Sequence, residues 1–193
     1  MRQRTALAGA LAMGLLPVSV PASAQAVYGF TGPRNSDGLL SAGVAHATTD
    51  LTHGHRFAVR VERVERFAGS TLPAGCSVAP GLDAVIVHVL LTNLERRPFR
   101  GIVEHFVLAW EYAGRPGGGD AQDVACALAD RPASYLGELE PPIAPRGRRR
   151  VRLFYAVPTG ARLVRLDYTN DDFPARFAVP QPRLQRGHPG ASR

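Results

Sequence analysis

The chain has 193 residues, which leaves room for one folded domain with a sizeable core. Its formal charge is +7, and all 23 basic residues are arginine, because the sequence contains no lysine. This bias accompanies abundant alanine, glycine and proline and is typical of GC-rich codon usage. The basic charge is therefore weak evidence for a nucleic-acid partner.

Residues 1–24, "MRQRTALAGALAMGLLPVSVPASA", have the three parts of a signal peptide: Arg2 and Arg4, then an apolar stretch, then the cleavage pattern Ala-Ser-Ala before Gln25. The apolar stretch is short of the roughly 20 residues needed to span a bilayer. No cysteine lies near the cleavage site, which disfavours a lipoprotein. We expect an exported protein, periplasmic or secreted, with no membrane span in the mature chain.

Three further segments follow the predicted signal peptide. Residues 25–54 are rich in Gly, Ser, Thr and Asn and predict a flexible N-terminal arm. Residues 55–180 contain short apolar stretches separated by turn residues, the pattern of β-strands. Residues 181–193 lack apolar periodicity and predict a disordered tail.

Two strands of the predicted domain have distinctive patterns. In "FAVRVERVERF" the apolar residues alternate until Val64, which falls out of phase and predicts a bulge or a bend near Glu62 and Arg63. "DAVIVHVLLTN", residues 83–93, is apolar on both faces and predicts a central strand covered on both sides. Residues 121–138 are ambiguous between a helical turn and a strand that carries Cys126.

The stretch "PPIAPRGRRRVRLFYAVP", residues 141–158, places four arginines within five positions. Alternation there predicts an amphipathic strand with an apolar face and a solvated arginine face. The apolar face carries Val151, Leu153, Tyr155 and Val157, and the other face carries Arg148, Arg150 and Arg152. These three arginines are a candidate anion-contacting face. Nucleic-acid binding is not expected, because the aromatic residues fall largely on the opposite face or outside the run.

Two cysteines, Cys76 and Cys126, are present. In an exported chain an even number of cysteines favours a disulfide. A bridge between these cysteines would close a loop of about 50 residues, which stabilises a fold by about 4 kcal/mol on the chain-entropy model. A redox-active pair or a metal-binding pair are the alternatives, but there is no C-x-x-C spacing. We predict a structural disulfide.

Short strands, turn signals between them and no long helix after residue 24 predict an all-β fold, an antiparallel β-sandwich of about seven strands. The stretches "VIVHVLLTNLERRP" and "LEPPIAPRGRRRVRLFYAVPTGARLVRLDYTND" resemble secreted bacterial immunoglobulin-like domains of unknown function, which occur on lipoproteins and in extracellular immunoprotective antigens. The resemblance covers about residues 55–180. It implies an immunoglobulin-like interaction or accessory module and brings no catalytic residues. The chain departs from the pattern by placing Arg146 between Pro145 and Gly147 and by lacking a lipidation cysteine.

Several polar groups are weaker candidate sites. His46, His53 and His55 suit a transition metal, since imidazole is a ligand for copper, zinc or nickel, although a solvated loop is the simpler interpretation. His88 and His105 lie on strands that could be neighbours. An acidic loop at a strand end offers oxygen ligands for calcium without the spacing of an EF-hand loop, and it comprises Asp167, Asn170, Asp171 and Asp172.

No catalytic motif is present in the sequence. There is no G-x-S-x-G elbow and no phosphate-binding glycine loop, because "GRPGGGD" lacks the Lys-Ser/Thr ending. Glu138 and Glu140 lie beside two prolines and are explained by a solvated connection.

We expect a non-enzymatic module without cofactors that contacts another envelope or extracellular protein. A periplasmic metal-binding protein that uses the histidines of the N-terminal arm is the alternative.

Overall fold

The computed structural model describes residues 30–50, 55–68, 76–100, 105–120, 125–126, 139, 141–169, 175–182 and 184–185. In these ranges the chain forms β-strands and no α-helix, which confirms the all-β prediction. The strands are β1 (His46–Asp50), β2 (His55–Ala68), β3 (Cys76–Ser77), β4 (Leu82–Asn93), β5 (Phe106–Tyr112), β6 (Arg115–Asp120), β7 (Ala125–Cys126), β8 (Arg148–Pro158), β9 (Arg162–Tyr168), β10 (Ala175–Ala178) and β11 (Leu184–Gln185). None of the described ranges contains a helix that is long and apolar enough to cross a membrane.

Two larger sheets and one small pair contain these strands. The first sheet has the order β1-β2-β4-β8, with β11 also paired to β2, and the second sheet has the order β10-β9-β5-β6. The strands β3 and β7 form a separate pair. All pairings are antiparallel except the short one between β11 and β2. This arrangement is compatible with the predicted β-sandwich.

Both larger sheets contribute to one hydrophobic core. Val87 of β4 and Tyr155 of β8 are fully buried from the first sheet, as are Leu108 of β5 and Leu166 of β9 from the second. The hydroxyl of Tyr155 donates a hydrogen bond to the carbonyl oxygen of Phe106 at 3.0 Å and so links the two sheets. Burying each such apolar side chain stabilises the fold by about 1.5–3 kcal/mol.

The central position predicted for residues 83–93 is confirmed, because β4 lies between β2 and β8. Its valines at alternate positions face the core. The residues between them face the other side of the sheet, where a second apolar cluster lies. We call this second group the outer cluster, and its buried members are Ala84, Ile86, Phe154 and Ala156.

The predicted bulge in β2 is also confirmed. The register of β2 against β4 shifts between Val61 and Arg63, so that Glu62 is the extra residue. Val64 pairs with Val87 after the shift and packs against the core. The bulge therefore restores the apolar phase of β2 and keeps both halves of this long strand in one sheet.

Part of the segment expected to be a flexible arm belongs to the fold. Leu40 is fully buried in the core, and its backbone pairs with β10 through a hydrogen bond from the Ala178 N–H to the Leu40 carbonyl oxygen at 2.8 Å. The strand β1 pairs with β2 along its whole length. The fold therefore begins before residue 55, and β11 extends it past residue 180. The predicted signal peptide, residues 1–24, lies outside the described residues.

The ambiguous segment contains a short strand, β7, which pairs with β3. Cys76 lies directly opposite Cys126 in this pair. Opposite Cα atoms of an antiparallel pair are about 4.5–5.5 Å apart, which falls within the range that a disulfide spans. The backbone register is thus compatible with the bridge, which stays a prediction. Residues 121–124 and 127–138 lie outside the described ranges.

The side chain of Asn93, at the end of β4, is fully buried and holds two loops together. Its amide donates to the carbonyl oxygens of Arg97 at 2.8 Å and of Ile143 and Ala144, both at 3.1 Å. Its Oδ1 accepts a hydrogen bond from the backbone N–H of Glu95 at 2.8 Å. This loop anchor is the structural role of the asparagine in the "TNLERRP" pattern.

Candidate anion-contacting face

The three arginines predicted to form an anion-contacting face lie on the outer side of β8. Leu153 and Tyr155 point into the core, so the residues between and before them in the alternation point away from it. Arg148 and Arg150 are exposed, and Arg152 is half-buried. The predicted alternation is confirmed, and the strand that carries it is the last in the order of the first sheet.

The register of the first sheet aligns these arginines with residues of two further strands. Arg150 of β8 lies opposite Leu90 of β4, which lies opposite Arg60 of β2, and we call this set the Arg60 row. One step further, Arg152 lies opposite His88, which lies opposite Arg63, and we call this set the His88 row. Directly opposite side chains in an antiparallel sheet lie within contact distance. Each row thus places an arginine on both sides of a β4 residue.

Glu62, the bulge residue of β2, binds both arginines of the Arg60 row. Its Oε1 lies 2.6 Å from a terminal nitrogen of Arg60, and its Oε2 lies 2.9 Å from the Nε of Arg150. Burial raises the pKa of the Glu62 carboxyl, but the hydrogen bonds and positive charges of Arg60 and Arg150 outweigh burial and hold the pKa below its ordinary value. The bulge therefore positions one carboxylate as a bridge from β2 to β8.

In the His88 row the carboxylate of Glu65 lies on the side of β2. Its Oε1 is 3.0 Å from Arg63 and 3.5 Å from Nε2 of His88. The second distance is within ion-pair range but too long for a good hydrogen bond. His88 Nε2 is buried and has no hydrogen-bond partner in the described part of the chain. Burial of His88 lowers its pKa, and the charges of Arg63 and Arg152 lower it further against the opposing effect of Glu65.

Charge on this side of the first sheet is unbalanced. Among the side chains that the structure describes, the Arg60 row, the His88 row and Arg148 supply five arginines, and the carboxylates that bind within the rows are those of Glu62 and Glu65. The side chain of Arg150 is 73% exposed, although its guanidinium binds Glu62. Arginine presents a planar fork of donors that matches a carboxylate. This side of the sheet, which we call the arginine face, is therefore suited to contact anionic groups.

Sequence reasoning found the β8 arginines but missed their partners on β2 and β4. The alternation of "FAVRVERVERF" contains the signal, since Arg60, Arg63 and Glu65 fall on the face opposite the valines. The row in which each charge falls depends on the bulge at Glu62 and on the register with β4.

Of the three histidines of the candidate metal site, the structure describes only the side chain of His46. His46 is fully buried, with Nε2 at 2.8 Å from the carbonyl oxygen of Ser41 and with Gly32 packed against its ring. His53 and the side chain of His55 lie outside the described residues. Among the residues that are described, no three His, Cys, Asp or Glu side chains form a metal-binding cluster. Metal binding by His46, His53 and His55 stays a prediction.

The other polar candidate residues either lie apart from one another or fall outside the described residues. His88 is in the first sheet and His105 precedes β5 of the second, so these histidines do not lie on neighbouring strands, as the sequence had left possible. Asp167 binds Arg165 at 2.8 Å. The candidate residues outside the described ranges are Glu138, Glu140, Asn170, Asp171 and Asp172.

An open cleft with a volume of about 440 Å³ lies at the end of the first sheet. Its carboxylate, Asp83, is already bound by Arg66 at 2.9 Å and by the hydroxyl of Thr159 at 2.9 Å. These contacts join β2, β4 and the turn after β8. The cleft is lined by Ala68, Val78, Ala79, Pro80, Gly81, Leu82, Asp83 and Thr159. Its polar side chains thus serve the fold.

The chain matches no protein-family model, no curated protein and no solved structure. The arginine face therefore has to be interpreted from its own geometry.

Proposed function

We propose that the protein is an exported, non-catalytic, immunoglobulin-like β-sandwich module that contacts an acidic surface of another envelope or extracellular protein. The observation that carries the proposal is the arginine face, where, among the described side chains, arginines from β2 and β8 outnumber carboxylates on one side of the first sheet. The motif resemblance to secreted immunoglobulin-like domains supports the same class of function.

An acidic protein suits this face better than a nucleic acid. Single-stranded nucleic acids bind basic grooves in which exposed aromatic side chains stack on the bases. Phe154, the aromatic residue of β8 on the outer side, is 2% exposed and belongs to the outer cluster. The arginine face thus offers charge and forked hydrogen-bond donors without a described stacking platform.

Binding through exposed charges depends on salt, because ions screen charges over about 8–10 Å at physiological ionic strength. We expect a labelled octaglutamate peptide to bind the purified protein and to bind more weakly as salt rises. The combined change Arg148→Gln, Arg150→Gln and Arg152→Gln is expected to weaken binding by about tenfold, as three charge pairs of modest strength would. Fluorescence anisotropy at several salt concentrations measures both effects.

The matched control removes the same charge from the second sheet. Arg115, Arg162 and Arg176 are exposed arginines on β6, β9 and β10. Changing these three to Gln is expected to alter the affinity by less than about twofold, since exposed pairs elsewhere contribute little. Equal losses in both triple variants would show a response to net charge alone, and the arginine face would lose its assigned role.

A further inference from the structure

The chain treats the outer edges of its two larger sheets in different ways. The backbone N–H of Thr31 donates to the carbonyl oxygen of Ala47 at 3.0 Å and covers part of the outer edge of β1. Leu40 pairs with the outer edge of β10. The edge strand β6 contains Pro116, and a proline without an N–H blunts an edge against further pairing. In the described part of the chain β8 pairs with β4 alone, so its second edge, which we call the open edge, can accept a further strand.

The register between β4 and β8 shows which backbone groups face the open edge. The N–H of Asn93 donates to the carbonyl oxygen of Gly147 at 2.9 Å, and the N–H of Thr159 donates to the carbonyl oxygen of Gly81 at 2.9 Å. Both pairs continue the register of the two strands, one at each end. Successive residues of an antiparallel strand direct their N–H and C=O groups to opposite sides. The odd-numbered residues of β8 therefore bond to β4, and the even-numbered residues direct these groups to the open edge.

Arg148 and Arg150 are even-numbered residues of β8 and bring charge and outward-directed backbone groups to the same place. Both are exposed, whereas Val151 beside them is buried in the core. The second half of β8 is tied to the second sheet, because the hydroxyl of Tyr155 binds the carbonyl oxygen of Phe106. The open edge along residues 148–152 thus offers backbone donors and acceptors flanked by positive side chains.

We propose that the acidic partner docks on the open edge along residues 148–152 as an added antiparallel strand with a carboxylate at every second residue. The proposal rests on the proposed function, since that function supplies the acidic partner. Partner residues directly opposite Arg148 and Arg150 exchange backbone hydrogen bonds with them and place their side chains on the arginine face. The partner residues between them face the core side, in line with Val151, where apolar side chains fit. Main-chain bonds then supply affinity, and alternate side chains supply specificity.

Charge on the open edge disfavours a second copy of this chain as the added strand. Antiparallel pairing of two β8 edges through their outward-directed groups would place arginines opposite arginines, and like charges directly opposite each other are destabilising. Charged side chains on an edge strand are a device against such self-pairing. A strand with acidic residues at alternate positions turns the same contacts into favourable charge pairs. The arginines therefore select an acidic strand.

The test compares two isomeric, fluorescently labelled octapeptides that alternate glutamate with valine. One is N-methylated at each glutamate and the other at each valine, so that both have the same mass and charge. In the proposed strand the glutamate N–H groups bond to β8, and the valine N–H groups point away from it. Relative to the unmethylated peptide, we expect glutamate methylation to weaken binding at least about tenfold and valine methylation less than about twofold, because only the former removes hydrogen bonds. Fluorescence anisotropy with the full protein measures the affinities.

Amide hydrogen exchange, followed by NMR with the unmethylated peptide, locates the added strand. The N–H groups of Arg148 and Arg150 face the open edge, and saturating peptide is expected to slow their exchange by about tenfold or more. The N–H groups of Arg149 and Val151 are the matched controls within the same strand, since they already bond to β4. Their exchange is expected to change much less.

Equal affinities of the two methylated isomers overturn the added strand and leave the proposed function standing, because contact would then involve side chains alone. A loss confined to the valine-methylated isomer overturns the antiparallel arrangement, since a parallel strand bonds through the other set of residues. Failure of both octaglutamate and the unmethylated alternating peptide to bind overturns the proposed function, and the added strand falls with it.

Discussion

Arg146 adopts a backbone conformation that residues other than glycine rarely occupy, with φ of 58°. It follows Pro145, and the N–H of Gly147 donates a hydrogen bond to the carbonyl oxygen of Ala144 at 2.8 Å. Proline at the second position and a positive φ at the third are the pattern of a type II turn, which favours glycine at the third position. Here the arginine that departs from the motif resemblance is the strained residue of the turn.

Arg146→Gly is expected to stabilise the protein by about 0.5–1 kcal/mol, because glycine adopts a positive φ without steric cost. That gain corresponds to a rise of roughly 1–4 °C in the melting temperature of a protein of this size. Thermal unfolding followed by circular dichroism measures it. Arg146→Ala is the control, since it removes the guanidinium but keeps a Cβ at the strained position. An equal gain from Arg146→Ala would mean that the side chain, not the backbone, is the source of the strain.

The lowered pKa of His88 makes stability depend on pH. The unfolded chain takes up a proton near pH 6.5, whereas the folded protein takes it up only at a lower pH. Stability is therefore expected to fall as pH decreases from about 6.5 toward the folded pKa, because the unfolded state binds more protons in this interval. His88→Gln should flatten this part of the profile, measured by urea unfolding at a series of pH values. A profile that stays as steep in the variant would assign the effect to other groups.

At the scale of single elements, the hairpin of β5 and β6 shows how a glycine-rich strand is used. Trp110 lies opposite Gly117, and a Cβ added at Gly117 would lie 2.4 Å from the indole Nε1. A Cβ added at Gly118 has its nearest neighbours at 3.7 Å. The absence of a side chain at Gly117 thus gives the indole its place against the edge of the core.

Gly117→Ala is expected to displace the indole and to cost about 1–3 kcal/mol, as inserting an atom into a packed site does. Gly118→Ala is the matched control and should cost less than about 1 kcal/mol, the scale of strand propensities. Trp110 is the only tryptophan of the chain, so its fluorescence reports the displacement directly. An unchanged emission spectrum in Gly117→Ala would mean that the strand moves and the indole does not.

The pattern of each strand was readable from the sequence, whereas the relation between strands was not. Alternation alone places Arg150 and Arg152 on an outward face. Their assignment to different rows depends on which residue of β2 is extruded at the bulge. It also depends on the pairings of β2 with β4 and of β4 with β8, whose partners in these rows lie 25 to 64 positions apart in the chain. Cross-strand register is a long-range property, and local periodicity does not contain it.

At the scale of the whole molecule, the beginning of the fold was also beyond local pattern. Leu40 stands among glycine, serine and asparagine and has no apolar periodicity around it, yet it is fully buried. Its place is set by β10, which follows it by more than a hundred residues and supplies both of its backbone partners. The all-β class and the central strand were predicted because they depend on composition and on residues close in sequence.

The predicted signal peptide and the predicted disulfide are tested together by the mass of the intact protein after expression in an export-competent host. We expect a chain that begins at Gln25 and is lighter by two hydrogens than its reduced form, because Cys76 and Cys126 are opposite in the β3–β7 pair. Reduction should restore both hydrogens and lower stability by up to about 4 kcal/mol. Two alkylatable thiols in the unreduced, denatured protein would contradict the disulfide, and a retained N-terminus would contradict cleavage.

The pairing of β11 with β2 has a consequence for the order of folding. One edge of β2 is shared by β1, which precedes it directly, and by β11, which lies more than a hundred residues later. A chain that emerges from a ribosome or a translocation channel N-terminus first can form the β1–β2 hairpin early, but this edge stays incomplete until Leu184 and Gln185 have emerged. Completion of this edge is thus tied to the arrival of β11, which favours a late final step in the folding of the first sheet.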